Sequence, residues 1–348
     1  MSEVLIHELW HSLSRNLPKK ELRKMRTILQ GFLLTLTMLA CKEAVEKKRY
    51  KPASSGNINS LLVVMDNDLW QGRVGNAVRL NIGSEVYGLP QKEAYFDFNQ
   101  VPSAVFSDFV RLNRIILKVQ ISEKIGAAYY KNPYANPQSM VVISAPDRES
   151  LIDIIAKEAP DIISKFKSYE FKEKQRRINK SPFNSKQIQT ALEIRVSLPS
   201  AYRIAKSNKD FFWIRKDIKA GSLNLLLYSL NENKLNLSKS FSDYIAHNRD
   251  SISKAFIPGP VDGNYMITET NYTPLFEETA LSNTKVFVTK SLWKVEGAFM
   301  SGPFVNYCFE DKVRNRLLVA EGFVYAPARE KRDYMFELET IMRSITLE

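Results

Sequence analysis

Residues 317–325 read LLVAEGFVY, and residues 304–309, a little upstream, read FVNYCF. Both are short runs rich in β-branched and aromatic residues, of strand length rather than helix length. Residues 311–315 (DKVRN) join them, so the pair reads as an antiparallel hairpin. Working upstream, further strands are expected at 191–197 (ALEIRVS), 211–215, 223–230, 265–268 and 285–290. Helices are expected near 199–206 and 241–255. A closing helix at about 330–343 should bury Tyr334, Met335, Leu338 and Ile341 or Met342. Strands in runs, with helices between or after them, argue an antiparallel α+β sheet with helices on one face.

The part before this hairpin region has a different pattern. Residues 60–65 (SLLVVM) form a continuous apolar run, as a strand buried on both faces would. A helix is expected from 69 to 78, then strands at 115–121 and 140–143. Asp147 or Ser150 should cap a long helix with Leu151, Ile155, Ile162 and Phe166 on one face, kinked or restarted at Pro160. Its basic tail (165–180) runs into Ser181–Pro182, where the boundary is placed. The expected fold is α+β: an amino-terminal α/β domain over 59–182, then a mainly antiparallel sheet domain with packed helices over 187–348.

The 348 residues are 44% hydrophobic and 25% charged, near the average for a globular chain, which argues against wholesale disorder and against a multi-span membrane protein. Three His and two Cys leave little for a zinc site or a His-based catalytic centre, and no metal or cofactor is expected.

Residues 25–41 read MRTILQGFLLTLTMLAC. A cationic start precedes 14 mostly apolar residues, too few for a bilayer core that needs about 20 and close to a signal-peptide core. The run ends in Leu39, Ala40 and Cys41, and an abruptly polar stretch follows. This resembles the lipobox of bacterial lipoproteins, although Met38 stands where that family prefers Leu. The resemblance implies cleavage before Cys41 and acylation of that residue, with 1–40 as the signal region. The competing reading is a buried helix ending in a core cysteine. Residues 1–24, with Glu3, Glu8 and Glu21, do not fit a signal peptide. They imply a true start at Met25 or an unusually long leading segment.

From Cys41 on, 44 basic residues face 35 acidic ones, a charge of +9. Residues 41–58, with Pro52, Ser54, Ser55 and Gly56, read as a lipidated cysteine and a flexible tether spanning up to ~56 Å.

The stretches GPFVNYCFED (302–311), RNRLLVAEGFVYAP (314–327) and KRDYMFELE (331–339) resemble the carboxy-terminal signature of a Bacteroidetes lipoprotein family, domain of unknown function 4837. KPASSG (51–56), LLVVMDNDLW (61–70), VYGLPQ (86–91), NRDS (248–251), IPGP (257–260) and YMITE (265–269) match as well. The resemblance implies a Gram-negative envelope location. It brings no activity and no catalytic residues.

Candidate chemistry is sparse. Asp66 and Asp68 follow a strand's carboxyl end, where paired carboxylates could hold a cation or act as a base; capping of the next helix is the plainer reading. Glu269 is a third carboxylate of this kind. His247 lacks the serine turn of a hydrolase triad. Gly259, Pro260 and Gly263 fit a turn better than a phosphate loop. Arg314, Arg316, Lys331 and Arg332 would form a cationic patch if the fold brings them together, the alternative being ordinary solvated charge. Trp70, Trp213 and Trp293 could line a sugar cleft, or be core. No nucleic-acid recognition module is evident.

The expected role is thus a lipid-anchored envelope protein, held to the outer membrane through Cys41, that binds or scaffolds another envelope protein or a glycan. An envelope hydrolase using Asp66, Asp68 or Glu269 is the rival. Lys42 stands where some inner-membrane lipoproteins carry a retaining aspartate, which favours the outer membrane.

Overall fold

The computed structural model describes residues 50–231 and 241–348, together with Lys20 and Lys24. The lipobox run and Cys41 lie outside the described residues. Lys20 and Lys24 are helical and exposed and belong to a unit of their own, residues 1–50. Residues 51–348 form one compact unit built on two large sheets.

The first sheet contains β1 (Ser60–Val64), β2 (Asp97–Val101), β3 (Ile115–Ile121), β4 (Gly126–Lys131) and β5 (Ser139–Ala145), ordered β2-β1-β3-β5-β4. The first four in that order run parallel, and β4 closes one edge antiparallel to β5. Both faces of β1, β3 and β5 are covered, which is why these strands are apolar throughout. Leu61, Val63, Leu117 and Ile143 pack beneath the helices, while Leu62, Val64, Ile116 and Met140 meet Phe106 on the other side.

Three helices accompany this sheet: α1 (Asn67–Gln71), α2 (Arg73–Asn81) and α3 (Arg148–Ile178). The single helix expected over 69–78 is two, because Gly72 between them is extended. Asp147 caps α3, accepting the Ser150 N–H at 2.8 Å. The helix runs unbroken for 31 residues through Pro160, where a kink or restart was expected. Its apolar stripe, Leu151, Ile155, Ile162 and Phe166, lies on the sheet and outweighs the ~3 kcal/mol that an interior proline costs.

Residues 51–57, expected as part of the tether, are bound to this domain instead. Ser55 exchanges backbone hydrogen bonds with Leu112 and Arg114, and the Asn136 N–H donates to Pro52. The carbonyls of Gly56 and Asn57 accept from the guanidinium of Arg114.

The second sheet is antiparallel throughout. Its strands are β7 (Arg203–Ser207), β8 (Phe211–Ile218), β9 (Gly221–Asn231), β10 (Met266–Thr268), β11 (Leu275–Leu281), β12 (Thr284–Val295), β13 (Ala298–Asp311) and β14 (Arg316–Tyr325). The order is β10-β12-β13-β14-β9-β8-β7, with β11 beside β10 on the same edge of β12. The expected hairpin is β13–β14, with Phe304 opposite Phe323, Asn306 opposite Glu321 and Cys308 opposite Val319. Two sequence expectations fail just before this sheet. Residues 186–192 form a short helix, α4 (Lys186–Leu192), ended by Glu193 at φ 52°, which leaves only β6 (Ile194–Arg195) of the strand expected over 191–197. The helix expected near 199–206 is replaced by β7, an edge strand held by β8.

Helices cover both faces of this sheet, not one. On one face α6 (Arg332–Arg343) sets Leu338, Ile341 and Met342 against Leu225, Val305 and Leu318. On the other, α5 (Phe241–Phe256) lays Tyr244 and Ile245 over Tyr228, Cys308 and Val319. A last strand, β15 (Thr346–Leu347), pairs with β6. Helices α3 and α6 join the sheets: Phe171 stacks on Phe336 at 4.3 Å between centroids, and Lys174 reaches Glu337 at 2.7 Å.

Candidate functional site

Strands β12, β13 and β14 are 10 to 14 residues long, and α5 crosses only part of the face they present. The uncovered end is the floor of a cleft of about 270 Å³. Side chains on one face recur every second residue, so the floor can be read from the register. Asn224 of β9 lies opposite Phe323 of β14, Phe323 opposite Phe304 of β13, and Trp293 of β12 opposite Gly302. The loop after α5, including Ile257 and Pro260, forms one wall; Trp213 and Arg215 of β8 form another.

Gly302 is required here by close approach. A Cβ at this position would lie 2.1 Å from the Val324 carbonyl and 2.9 Å from Trp293 Nε1, so only glycine lets the indole lie across β13. Trp293 meets Phe323 edge-on at 5.8 Å, and its ring is 98% buried. Its Nε1–H has no hydrogen-bond partner among the described residues, although a buried donor left unpaired costs about 1–3 kcal/mol. Three of the other polar side chains in the cleft are bonded to one another. Trp213 Nε1 donates to Asn224 Oδ1 at 3.0 Å, and Asn224 Nδ2 donates to Ser222 Oγ at 3.1 Å.

Two residues deeper along the same strands lies a buried ionic cluster that fixes the helix and, through it, the wall. Arg249 of α5 sits 4.0 Å over the Phe304 ring, with Nε 3.0 Å from Glu321 Oε1; both side chains are almost wholly buried. That ion pair lies off line for a hydrogen bond, while Asn306 Nδ2 donates to the other Glu321 oxygen at 3.2 Å. Arg249 Nη1 also donates to Thr268 Oγ1 and Asp250 Oδ1, and Asp250 takes the Thr268 N–H. Burial pushes the Glu321 carboxyl up, against the pull of Arg249 and Asn306.

The residues singled out from sequence fare unevenly. Trp213 and Trp293 come together in the cleft, whereas Trp70 lies in the first domain under Arg79 and against Phe98. Asp66 occupies the cap position of α1 but its side chain makes no cap bond; it accepts the Ser103 N–H at 3.1 Å. Asp68 pairs with Arg148 at 2.8 Å. Glu269, near the second sheet, accepts the Asn271 N–H and pairs with Lys294, and these hold its carboxyl below the usual range. The three carboxylates therefore have separate partners and form no common site. His247 is exposed on α5, and 258–263 is a turn closed by the Gly259 N–H to the Asn264 carbonyl.

The expected cationic patch is not assembled. Arg314 and Arg316 share Asp311 at the β13–β14 turn. Lys331 and Arg332 lie beyond the far end of β14, some ~30 Å of strand away. There Arg332 pairs with Asp97 and Asp333, and Lys331 Nζ donates to the Arg329 carbonyl. A second hollow at this place, lined by Glu93, Arg332 and Asp333, has its charges committed in the same way. Glu93 accepts the Lys331 and Arg332 N–H groups, and Asp333 takes Asn59 as well. Among the described residues no group of three His, Cys, Asp or Glu could hold a metal ion.

Sequence reasoning missed Arg249, Asn306 and Glu321 as a set. The signal was present: a lone Glu and a lone Asn at the centres of two apolar strand runs, opposite each other in the hairpin. NRDS, YMITE, IPGP and both hairpin stretches all contribute to the cleft or to the cluster behind it.

No curated protein matches the chain. Residues 54–179, which contain the first sheet and α3, match a model described as Domain of unknown function (DUF8532). Residues 181–344, which contain the cleft, match a model described as Domain of unknown function (DUF4837).

Proposed function

We propose that this chain is an exported cell-envelope protein of the Bacteroidetes lipoprotein type, tethered to the outer membrane by acyl chains on Cys41, that acts by binding a ligand or partner on the open sheet face. The anchor rests on the cationic start, the 14-residue apolar run and the Ala40–Cys41 junction. Acyl burial contributes about 0.8 kcal/mol per methylene, and two or more chains give stable attachment without a spanning helix. Among the described residues no helix is long and apolar enough to cross a membrane.

The observation that carries the binding role is the lining of the cleft, which is aromatic and aliphatic with a few placed polar groups and, among the described residues, no carboxylate. Such composition is that of a recognition site. Mass spectrometry of the native product should find Cys41 as the first residue, carrying diacylglycerol; a free thiol there, still joined to Ala40, rejects the anchor. Crosslinking in native envelopes should capture a ligand or partner on the wild type that Met300→Asp, at the cleft, loses. Equal capture by both rejects the binding face.

A further inference from the structure

Among the described residues, Arg215 is the one charged residue that lines the cleft. Its Nε is held by Asp217 at 2.7 Å, its terminal nitrogens have no partner among the described residues, and Arg203 binds the same Asp217 at 3.0 Å. Two guanidinium groups on one carboxylate leave the rim a net positive charge. From Arg215 the floor crosses β9 and β14 to Gly302 on β13, three strand spacings or ~14 Å. Over Gly302 waits the unpartnered, buried Nε1–H of Trp293. Beyond the mouth, Val261 and Phe299 expose apolar side chains on the adjoining loop and hairpin tip.

The occupant must satisfy this inventory. A sugar carries a hydroxyl on nearly every carbon, and a peptide a donor at each residue, and each needs a partner when buried. Asn224 and Ser222 are already bonded to each other and to Trp213. Apolar walls, one cation at one end and two neutral donors free among the described residues, the Trp293 Nε1–H and the Tyr325 hydroxyl, suit a long molecule with few polar groups. We propose that the cleft binds an anionic amphiphile, an acyl chain headed by carboxylate or phosphate, with its head at Arg215 and its apolar body lying across the sheet toward Trp293. This deepens the binding role proposed above and does not depend on the anchor.

The test is calorimetric titration of the full-length protein with dodecanoate and dodecyl phosphate, below micelle formation, beside dodecanol, maltotriose and an apolar tetrapeptide. Both anions should bind saturably at one site. Arg215→Gln should weaken both about tenfold and leave dodecanol unchanged, and Met300→Asp, with an unchanged melting temperature, should abolish all three. Carboxylate and phosphate sources separate by which anion binds more tightly, either order agreeing with the proposal. It is overturned if neither anion binds, if Arg215→Gln binds them as the wild type does, or if maltotriose or the tetrapeptide binds instead. Overturned here, with partner capture in envelopes retained, the broader binding role still stands.

Discussion

Glu170 is fully buried on α3, where Arg114 donates to both of its oxygens at 2.7 and 2.9 Å and the Asn59 N–H adds a third bond. Removing one member of a buried pair strands the other, at a cost of about 3–5 kcal/mol, while replacing both by apolar residues is far milder. Glu170→Leu should therefore lower the urea-unfolding free energy by that amount, and adding Arg114→Leu should restore much of it; a double variant no better than the single one contradicts the pairing. One turn on, burial pushes the Glu173 carboxyl up, but Arg176 and Arg177, helped by Arg114, outweigh it and hold it at about 2. A carboxylate whose folded pKa is depressed stabilises above its unfolded value and loses that contribution as pH falls. Stability should thus drop between pH 4.5 and about 2, and Glu173→Gln should flatten that limb of a melting-temperature profile. Glu321 has the opposite sign, since its raised pKa makes its contribution fade as pH climbs out of the carboxylate range. These residues were hard to foresee because a charge in a helix tail or a strand says nothing by itself about its partner. Arg114 and Glu170 are 56 residues apart, and Arg249 and Glu321 are 72 apart.

Helix α6 begins on a residue from the other half of the chain. Glu93 accepts the N–H groups of Lys331 and Arg332 at 2.7–2.9 Å, the work a capping side chain normally does from within the helix. Glu93→Ala should cost about 1–2 kcal/mol and speed amide exchange in the first turn of α6, leaving its last turn protected. Uniform protection across the helix would count against this role. Local elements were legible where pattern and packing agree: β3 and the Asp147 cap fall where the apolar run and cap signal put them, and α5 and α6 lie within a residue or two. They were illegible where tertiary pairing overrides propensity. Strand β7 is largely exposed and polar and exists because β8 supplies its hydrogen bonds. Strands β4 and β11, also exposed on most residues, carry no inward pattern to find. The cleft shares this fate, since its wall and floor meet only once α5 has been docked by Arg249.

Across the whole molecule, Cys308 reports on global unfolding. It lies in the second half of β13, wholly buried between sheet and α5, and burial pushes its thiol far above the usual range. Iodoacetamide should leave it unmodified in the native protein and label it at the rate of unfolding. With Cys41 acylated, the native protein shows no reactive thiol, and one unacylated and accessible at Cys41 shows one. The two family-matched segments meet at residue 180, yet each finishes the other: Glu93 begins a helix of the second, and Phe336 lies flat on Phe171 of the first. Severed there, the pieces would each be left with bare aromatic rings and unanswered amides. They should be insoluble when expressed alone and recover only when co-expressed. A lineage that keeps one of these segments without its companion would therefore need a substitute for that shared seam.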